Sequence, residues 1–356
     1  MKVIRTLALL LASLLLLSAC SFWQEPGEET FTKAGTAESD PSSETNDPPG
    51  ENDSESQSES WTGLPVVDPP EQQHTIVEDL SHISGVIAVE GIAGLTVSGY
   101  KAYQMLYETP YKSLTGQMAT LQIAADIILP VDYEDTEYPI ILYFADRVTK
   151  ADYIPEVNKL CETFCKENAI VIRIYARGQG NSKGASKAWG GDFADVTNLL
   201  NILDHSLFLK NLPVYAVGSG VGSIAVLRLA ATDTSNRVRG CAVTNPIADL
   251  KAYIDSVDED TAAYMMQLIR QASYDKKPEE YHLRSAVSFA QELRVPLLVI
   301  DSAVAPAPYP AQTGLLTAKL AELGKTYQTV TVPSDTANFF GGDIVTALFD
   351  WIRNLQ

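Results

Sequence analysis

Two hydrophobic rhythms run through the chain from residue 83 onward. Short, nearly continuous apolar runs at 83–97, 120–129, 139–144, 169–175, 214–217, 238–244, 296–300 and 327–332 fit buried strands, the first of them one strand or two. Between them lie stretches whose apolar residues recur every three or four positions. These stretches, at 155–168, 192–203, from Ile224 onward, 311–323 and 344–355, fit amphipathic helices. In the second, Val196, Leu199, Leu200 and Leu203 share one face. Strands alternating with helices of such lengths predict an α/β fold: a doubly wound, mostly parallel sheet covered on both faces. One polar-mixed helical stretch, at about 247–291, interrupts the alternation and reads as a short helical insertion.

The first 75 residues follow neither rhythm. Residues 1–19 carry Lys2 and Arg5, an apolar run at 7–17, and small residues at the end. The run is shorter than the ~20 residues a membrane-spanning helix needs, and the layout is that of an export signal. Leu17-Ser-Ala-Cys20 resembles a bacterial lipobox, which implies that Cys20 becomes the lipidated first residue of the mature chain. From residue 21 to 62 there are 11 Asp and Glu against one Lys. Such a segment buries too little apolar surface to offset its ordering entropy, so 20–75 is expected to be a disordered acidic tether. The folding domain is then 76–356. It is expected outside the cytoplasm, with membrane lipid as a partner through Cys20.

Composition narrows the function. A net charge of −19 excludes a basic face for nucleic acid. The remaining cysteines, Cys161, Cys165 and Cys241, show neither a disulfide framework nor zinc spacing and read as small buried residues, so no metal and no cofactor is expected.

The stretch that carries chemistry is LPVYAVGSGVGSIAVLRLA at 212–230. A buried strand, glycines at 218, 220 and 222, then a helix is the layout of the G-x-S-x-G nucleophile elbow. Here the nucleophile position holds Gly220. Further segments match in order: EYPIILYF at 137–144, RGQGNSKG at 177–184, Gly191-Asp192, AVTNPIAD at 242–249, PEEYHLRS at 278–285 and VPLLVI at 295–300. Together they resemble the prolyl oligopeptidase and X-prolyl dipeptidyl-peptidase groups of α/β-hydrolases over roughly residues 118–356.

That resemblance implies a Ser nucleophile, a His base and an Asp that orients it. The three slots fall on Gly220, on Asn338 for the base and on Ala305 for the acid. The four histidines are His74, His82, His205 and His282, so none follows residue 300 where the family's base lies. At the oxyanion position, Asp146 would oppose developing negative charge if it faced the site. The implied function is a non-catalytic hydrolase-fold lipoprotein that either binds a small molecule, a peptide or a protein or serves an envelope-associated role. The alternative is an active serine hydrolase with a rearranged site, for which Ser219, Ser223 and Asp301 are the candidates and His282 a base on the insertion. Arg177, Asp146 and Val221 are the candidate ligand contacts, although Arg177 also fits a loop-holding role. Trp189, Tyr264, Met265 and Met266 fit either a pocket lining or simple packing.

Overall fold

The computed structural model describes residues 75–112, 117–134, 137–146, 153–334 and 339–355. The chain divides between Pro69 and Pro70, and all described residues belong to the second unit. The export signal, Cys20 and the acidic segment therefore lie outside the described residues, as does Asn338.

Nine strands form one sheet: β1 (Val86–Gly91), β2 (Tyr100–Lys112), β3 (Met118–Pro130), β4 (Ile140–Phe144), β5 (Ile170–Ile174), β6 (Val214–Gly220), β7 (Val238–Pro246), β8 (Leu297–Ser302) and β9 (Tyr327–Val332). Their spatial order is β1-β2-β3-β5-β4-β6-β7-β8-β9. The β1–β2, β2–β3 and β3–β5 pairs are antiparallel; every pair from β5 to β9 is parallel. Successive side chains of β4 serve opposite faces, as strand geometry requires. Ile141 and Tyr143 join the core beneath α2 (Tyr153–Phe164) and α10 (Gly342–Leu355). Ile140, Leu142 and Phe144 join the other core, with α3 (Ala194–His205) and α4 (Val221–Thr232). The doubly wound sheet expected from the hydrophobic rhythms is the observed one.

Between β7 and β8 the chain forms α5 (Leu250–Ser256), α6 (Glu259–Leu268), α7 (Pro278–His282) and α8 (Ala286–Phe289), which is the expected helical insertion. The helix α9 (Tyr309–Glu322) follows β8. Among the described residues no helix is long and apolar enough to cross a membrane.

Three elements depart from the sequence expectation. The run at 83–97 gives one strand, β1, which ends at Gly91. The strand β2 was not expected. Its apolar positions are diluted by Lys101, Gln104, Glu108 and Pro110, yet it pairs with β3 along its whole length and buries Met105, Tyr107 and Thr109. The short helix α1 (Ile76–Ser81) has no periodicity to reveal it. A capping box between Thr75 and Glu78 starts it, and Asp79 accepts hydrogen bonds from Ser206 Oγ (2.6 Å) and Leu207 N (3.0 Å) that fasten it to the chain after α3.

Candidate functional site at the elbow

The elbow is built as its glycines predict. Gly220 ends β6 with φ +52° and ψ −124°, a combination that glycine adopts freely and side-chain-bearing residues adopt under strain. Two residues on, a Cβ at Gly222 would lie 2.2 Å from the Phe144 carbonyl oxygen, so only glycine lets the start of α4 ride over the end of β4. Ser223 braces the turn. Its fully buried hydroxyl donates to the Gly220 carbonyl (2.6 Å) and accepts from Ile247 N (3.0 Å), joining the elbow to the end of β7.

The space above Gly220 belongs to a carboxylate. Asp146, two residues past β4, accepts a hydrogen bond at Oδ1 from the Val221 backbone N–H at 2.7 Å. In the hydrolase elbow that N–H, on the residue after the nucleophile, is a donor of the oxyanion hole. A Cβ at position 220 would stand 2.4 Å from Asp146 Oδ1 and 2.7 Å from its Cγ. The carboxylate thus occupies both the place of the nucleophile side chain and the hydrogen bond meant for the oxyanion.

Beside it lies a cavity of about 230 Å³. It sits at the carboxyl ends of the parallel strands, where open α/β sheets bind ligands. Asp146 and Val221 line it, together with Tyr253 of α5, Tyr264 and Met265 of α6, and Pro308 and Tyr309 at the start of α9. The Tyr253 and Tyr309 rings pack at 5.9 Å, and their hydroxyls meet at 3.2 Å. At the rim Asp258 caps α6, accepting from Thr261 N (2.9 Å) and Thr261 Oγ1 (2.7 Å). These bonds hold its carboxyl below the usual range.

Of the residues picked out from the sequence, Gly220, Asp146, Val221, Tyr264 and Met265 come together here. Ala305 lies in the same β8–α9 loop as Pro308, half-buried, but does not line the cavity. Ser219 is buried within β6 beside Thr244, and Asp301 stays in β8 opposite Thr331. The described histidines are engaged elsewhere: His82 with the Glu78 carbonyl, His205 with the Asn201 carbonyl and His282 with the Tyr274 hydroxyl. His282 is not among the residues that line the elbow cavity.

Arg177 is not open to a ligand. Its side chain is 3% exposed, and the guanidinium grips Asp195 of α3 with two hydrogen bonds, Nε to Oδ2 at 2.8 Å and Nη2 to Oδ1 at 2.7 Å. Trp189 packs edge-on against Phe144, and its backbone carbonyl accepts a hydrogen bond from Arg228 Nη1. Met266 receives the Tyr281 hydroxyl at its sulfur. Both belong to packing rather than to the cavity. The cavity residues that sequence reading missed, Tyr253, Asp258 and Tyr309, sit on the insertion and on the β8–α9 loop, where no motif marks them. The Ser/Thr/Asp-type cap signal at Asp258 was the only local cue.

Solved structures share this architecture. A puromycin-hydrolyzing peptidase of Mycobacterium tuberculosis superposes with a TM-score of 0.52 at 16% identity, covering 69% of this chain and 38% of that one. An acetyl xylan esterase of Paenibacillus sp. R4 gives 0.54 at 11% identity, covering 74% and 87%. An S-formylglutathione hydrolase of Agrobacterium tumefaciens gives 0.53 at 14% identity, covering 75% and 98%. At such identities the likeness establishes the α/β-hydrolase fold, and this chain spans well under half of the peptidase. No curated protein matches by sequence. A family match does: residues 158–336, from α2 through the elbow and the insertion to the loop after β9, fit the prolyl oligopeptidase family. Half the chain lies within that match, and the elbow stands inside it: this protein belongs to the prolyl oligopeptidase family.

Proposed function

We propose that this chain is a non-catalytic member of its family, held outside the cytoplasm by lipid on Cys20, which binds a small molecule or the end of a peptide in the elbow cavity. The observation that carries this reading is the Asp146 carboxylate, 2.7 Å from the Val221 amide and in the path of any side chain at position 220. Chemistry of the family's kind needs a nucleophile at 220 and positive potential at the Val221 N–H. Loss of the serine alone costs a triad enzyme about a millionfold. Replacing an oxyanion donor by a fixed negative charge works against the same transition state, where removing one donor costs about 10²–10³. The hydroxyl of Ser223, the other serine at the turn, is spent on Gly220 and Ile247.

A fluorophosphonate probe applied to the full-length chain is expected to leave every serine unlabelled, and p-nitrophenyl esters and aminoacyl amides to turn over no faster than in buffer. Covalent attachment mapped to Ser219 or Ser223 would overturn the reading. The anchor has its own test: Cys20→Ala is expected to release the chain from the membrane fraction and abolish acyl labelling.

A further inference from the structure

The sheet ends in β1 on one side and β9 on the other, and the chain treats these two edges differently. An edge strand carries a row of unpaired N–H and C=O groups, which proteins blunt with charges, prolines, bulges or a covering element. The β1 edge is blunted in this way. Its register with β2 slips between Val86 and Ala88, Glu90 stands exposed along it, and α1 packs against it. The β9 edge has none of these devices. From Tyr327 to Val332 it reads Tyr-Gln-Thr-Val-Thr-Val, with neither charge nor proline, and it pairs with β8 residue for residue without a slip. All but Val332 are exposed or half-buried.

The bonds to β8 fix which residues of β9 face outward. Leu297 N donates to the Thr326 carbonyl and Ala303 N to the Val332 carbonyl, so the even-numbered residues face β8. Successive residues of a strand turn their N–H and C=O to opposite sides. Tyr327, Thr329 and Thr331 therefore point theirs away from the sheet, where no described residue pairs with them.

This row is complementary to itself. Laid antiparallel about a two-fold axis at Thr329, two copies pair Thr329 with Thr329 and Tyr327 with Thr331. Every outward N–H and C=O of the three residues then has a partner. Moving the axis to Val330 would set Tyr327 against Pro333, which has no N–H. Moving it to Gln328 would set Thr331 against Lys325, whose N–H already serves the Leu320 carbonyl. Thr–Thr and aromatic–β-branched pairs are favourable across strands, and the axis at Thr329 brings no like charges face to face. It also matches the ends of the strand. Lys325 of one copy comes opposite Pro333 of the other, next to Ser334, whose N–H donates to the Asp343 carboxylate at 3.2 Å. The two-fold repeats this match of positive and negative ends at the other end of the seam.

We propose that the β9 edge is a dimer interface, at which a second copy of this chain adds its own β9 antiparallel about Thr329. The sheet then continues from one copy into the other. Because the strands run oppositely across the seam, the assembly carries one elbow at each end. The seam is short, which places it among the weak, reversible interfaces.

The test is sedimentation velocity of the full-length chain in excess detergent, from about 1 to about 200 μM. A concentration-dependent monomer–dimer equilibrium is expected. Thr329→Pro removes an outward donor and leaves every β8–β9 bond in place. It is expected to weaken association at least about tenfold, since both copies lose the central donor, and to leave urea unfolding nearly unchanged. Thr329→Lys opposes like charges at the axis and is expected to weaken association most at low salt. In Thr329→Cys the opposed Cα atoms would lie about 5.5 Å apart, within reach of a disulfide. With oxidised glutathione as oxidant, mass spectrometry is expected to find a dimer bridged between the two introduced thiols. A chain that stays monomeric throughout while unfolding cooperatively would overturn the inference. So would a dimer that ignores Thr329→Pro and is not bridged by Thr329→Cys. A monomer that holds a foreign protein, lost on Thr329→Pro, would give the edge to another partner and overturn it as well. None of these outcomes touches fluorophosphonate labelling, so the inference stands or falls apart from the non-catalytic reading.

Discussion

The loop at 177–184 and the elbow at 218–222 both carry hydrolase-family patterns, but they keep them for different reasons. In the loop every patterned residue has a folding role. Arg177 grips Asp195. Gly178, Gly180 and Gly184 all have positive φ, and a Cβ on Gly180 would strike the Tyr175 ring at 2.8 Å. Ser182 Oγ accepts from Ala124 N (2.9 Å) on β3 and donates to the Tyr175 carbonyl (3.1 Å), clasping the antiparallel part of the sheet to the parallel part. At the elbow only the backbone has such a role. The glycines at 218 and 222 are needed for close packing, whereas no contact in the fold calls for a side chain at 220, and none is there. The clasp therefore testifies to the fold and is silent on chemistry. The elbow's side chains are where chemistry would show.

The strongest way to break this comparison is to attack the clasp. Arg177→Ala leaves the Asp195 carboxylate buried without its partner, a change expected to cost about 3–5 kcal/mol in urea unfolding of the full-length chain. Fluorophosphonate should still leave the remaining folded fraction unlabelled. A loss below about 1 kcal/mol would return Arg177 to the binding site.

Next in size is Gly220→Ser. The positive φ alone costs a side-chain-bearing residue about 1–3 kcal/mol, and Asp146 must also be displaced. The variant is expected to be less stable and still unlabelled by fluorophosphonate. Adding Asp146→Ala removes the collision and should recover part of the loss. A Gly220→Ser chain that is as stable as the parent, or that turns over an ester, would show the elbow to be a working site lacking one atom group. Ser182→Ala is expected to cost about 1–2 kcal/mol, because it strands the buried Ala124 N–H.

How much of this was legible in the sequence follows the same division. The inner parallel strands were readable because both faces are buried and their apolar runs are continuous, as in β4, where all five residues are buried. The strand β2 was not, because the face of this antiparallel strand that carries Gln104 and Glu108 tolerates polar residues near the sheet edge, and Lys101 stands exposed at its start. At the site, the strand–glycine–helix pattern located Gly220, and the residues after β4 raised Asp146 as a charge facing the wrong way. What could not be read is the partner of that charge. The bond from Val221 N to Asp146 links residues 75 apart in sequence and depends on the β4–β6 pairing that places Phe144 beside Gly218. Tyr253 and Tyr309 were hidden for a related reason: an aromatic residue on a helix looks the same whether it faces a core or a cavity.

The smallest expected effect separates the two regions by pH. At the cavity rim, the hydrogen bonds from Thr261 N and Oγ1 hold the Asp258 carboxyl below its ordinary value of 3.8. A depressed carboxyl favours the fold when ionised, so the cap is fully effective above that ordinary value and fails as pH falls through the folded one. In the clasp, Asp195 shifts the other way: burial, partly offset by Arg177, raises its carboxyl. A raised carboxyl favours the fold when protonated, so its share of stability declines as pH rises from the ordinary value through the raised one, and acid does not remove it. Mild acid should therefore loosen the cavity wall before the clasp. Hydrogen exchange read by mass spectrometry, stepped from pH 6 down to about 3, is expected to show amides of 259–268 losing protection while those of 170–184 keep theirs. Asp258→Asn, which caps without titrating, should abolish the early loss and leave the clasp unchanged. Simultaneous loss of protection in both segments would mean that elbow wall and clasp open as one unit, and the contrast between them would not extend to dynamics.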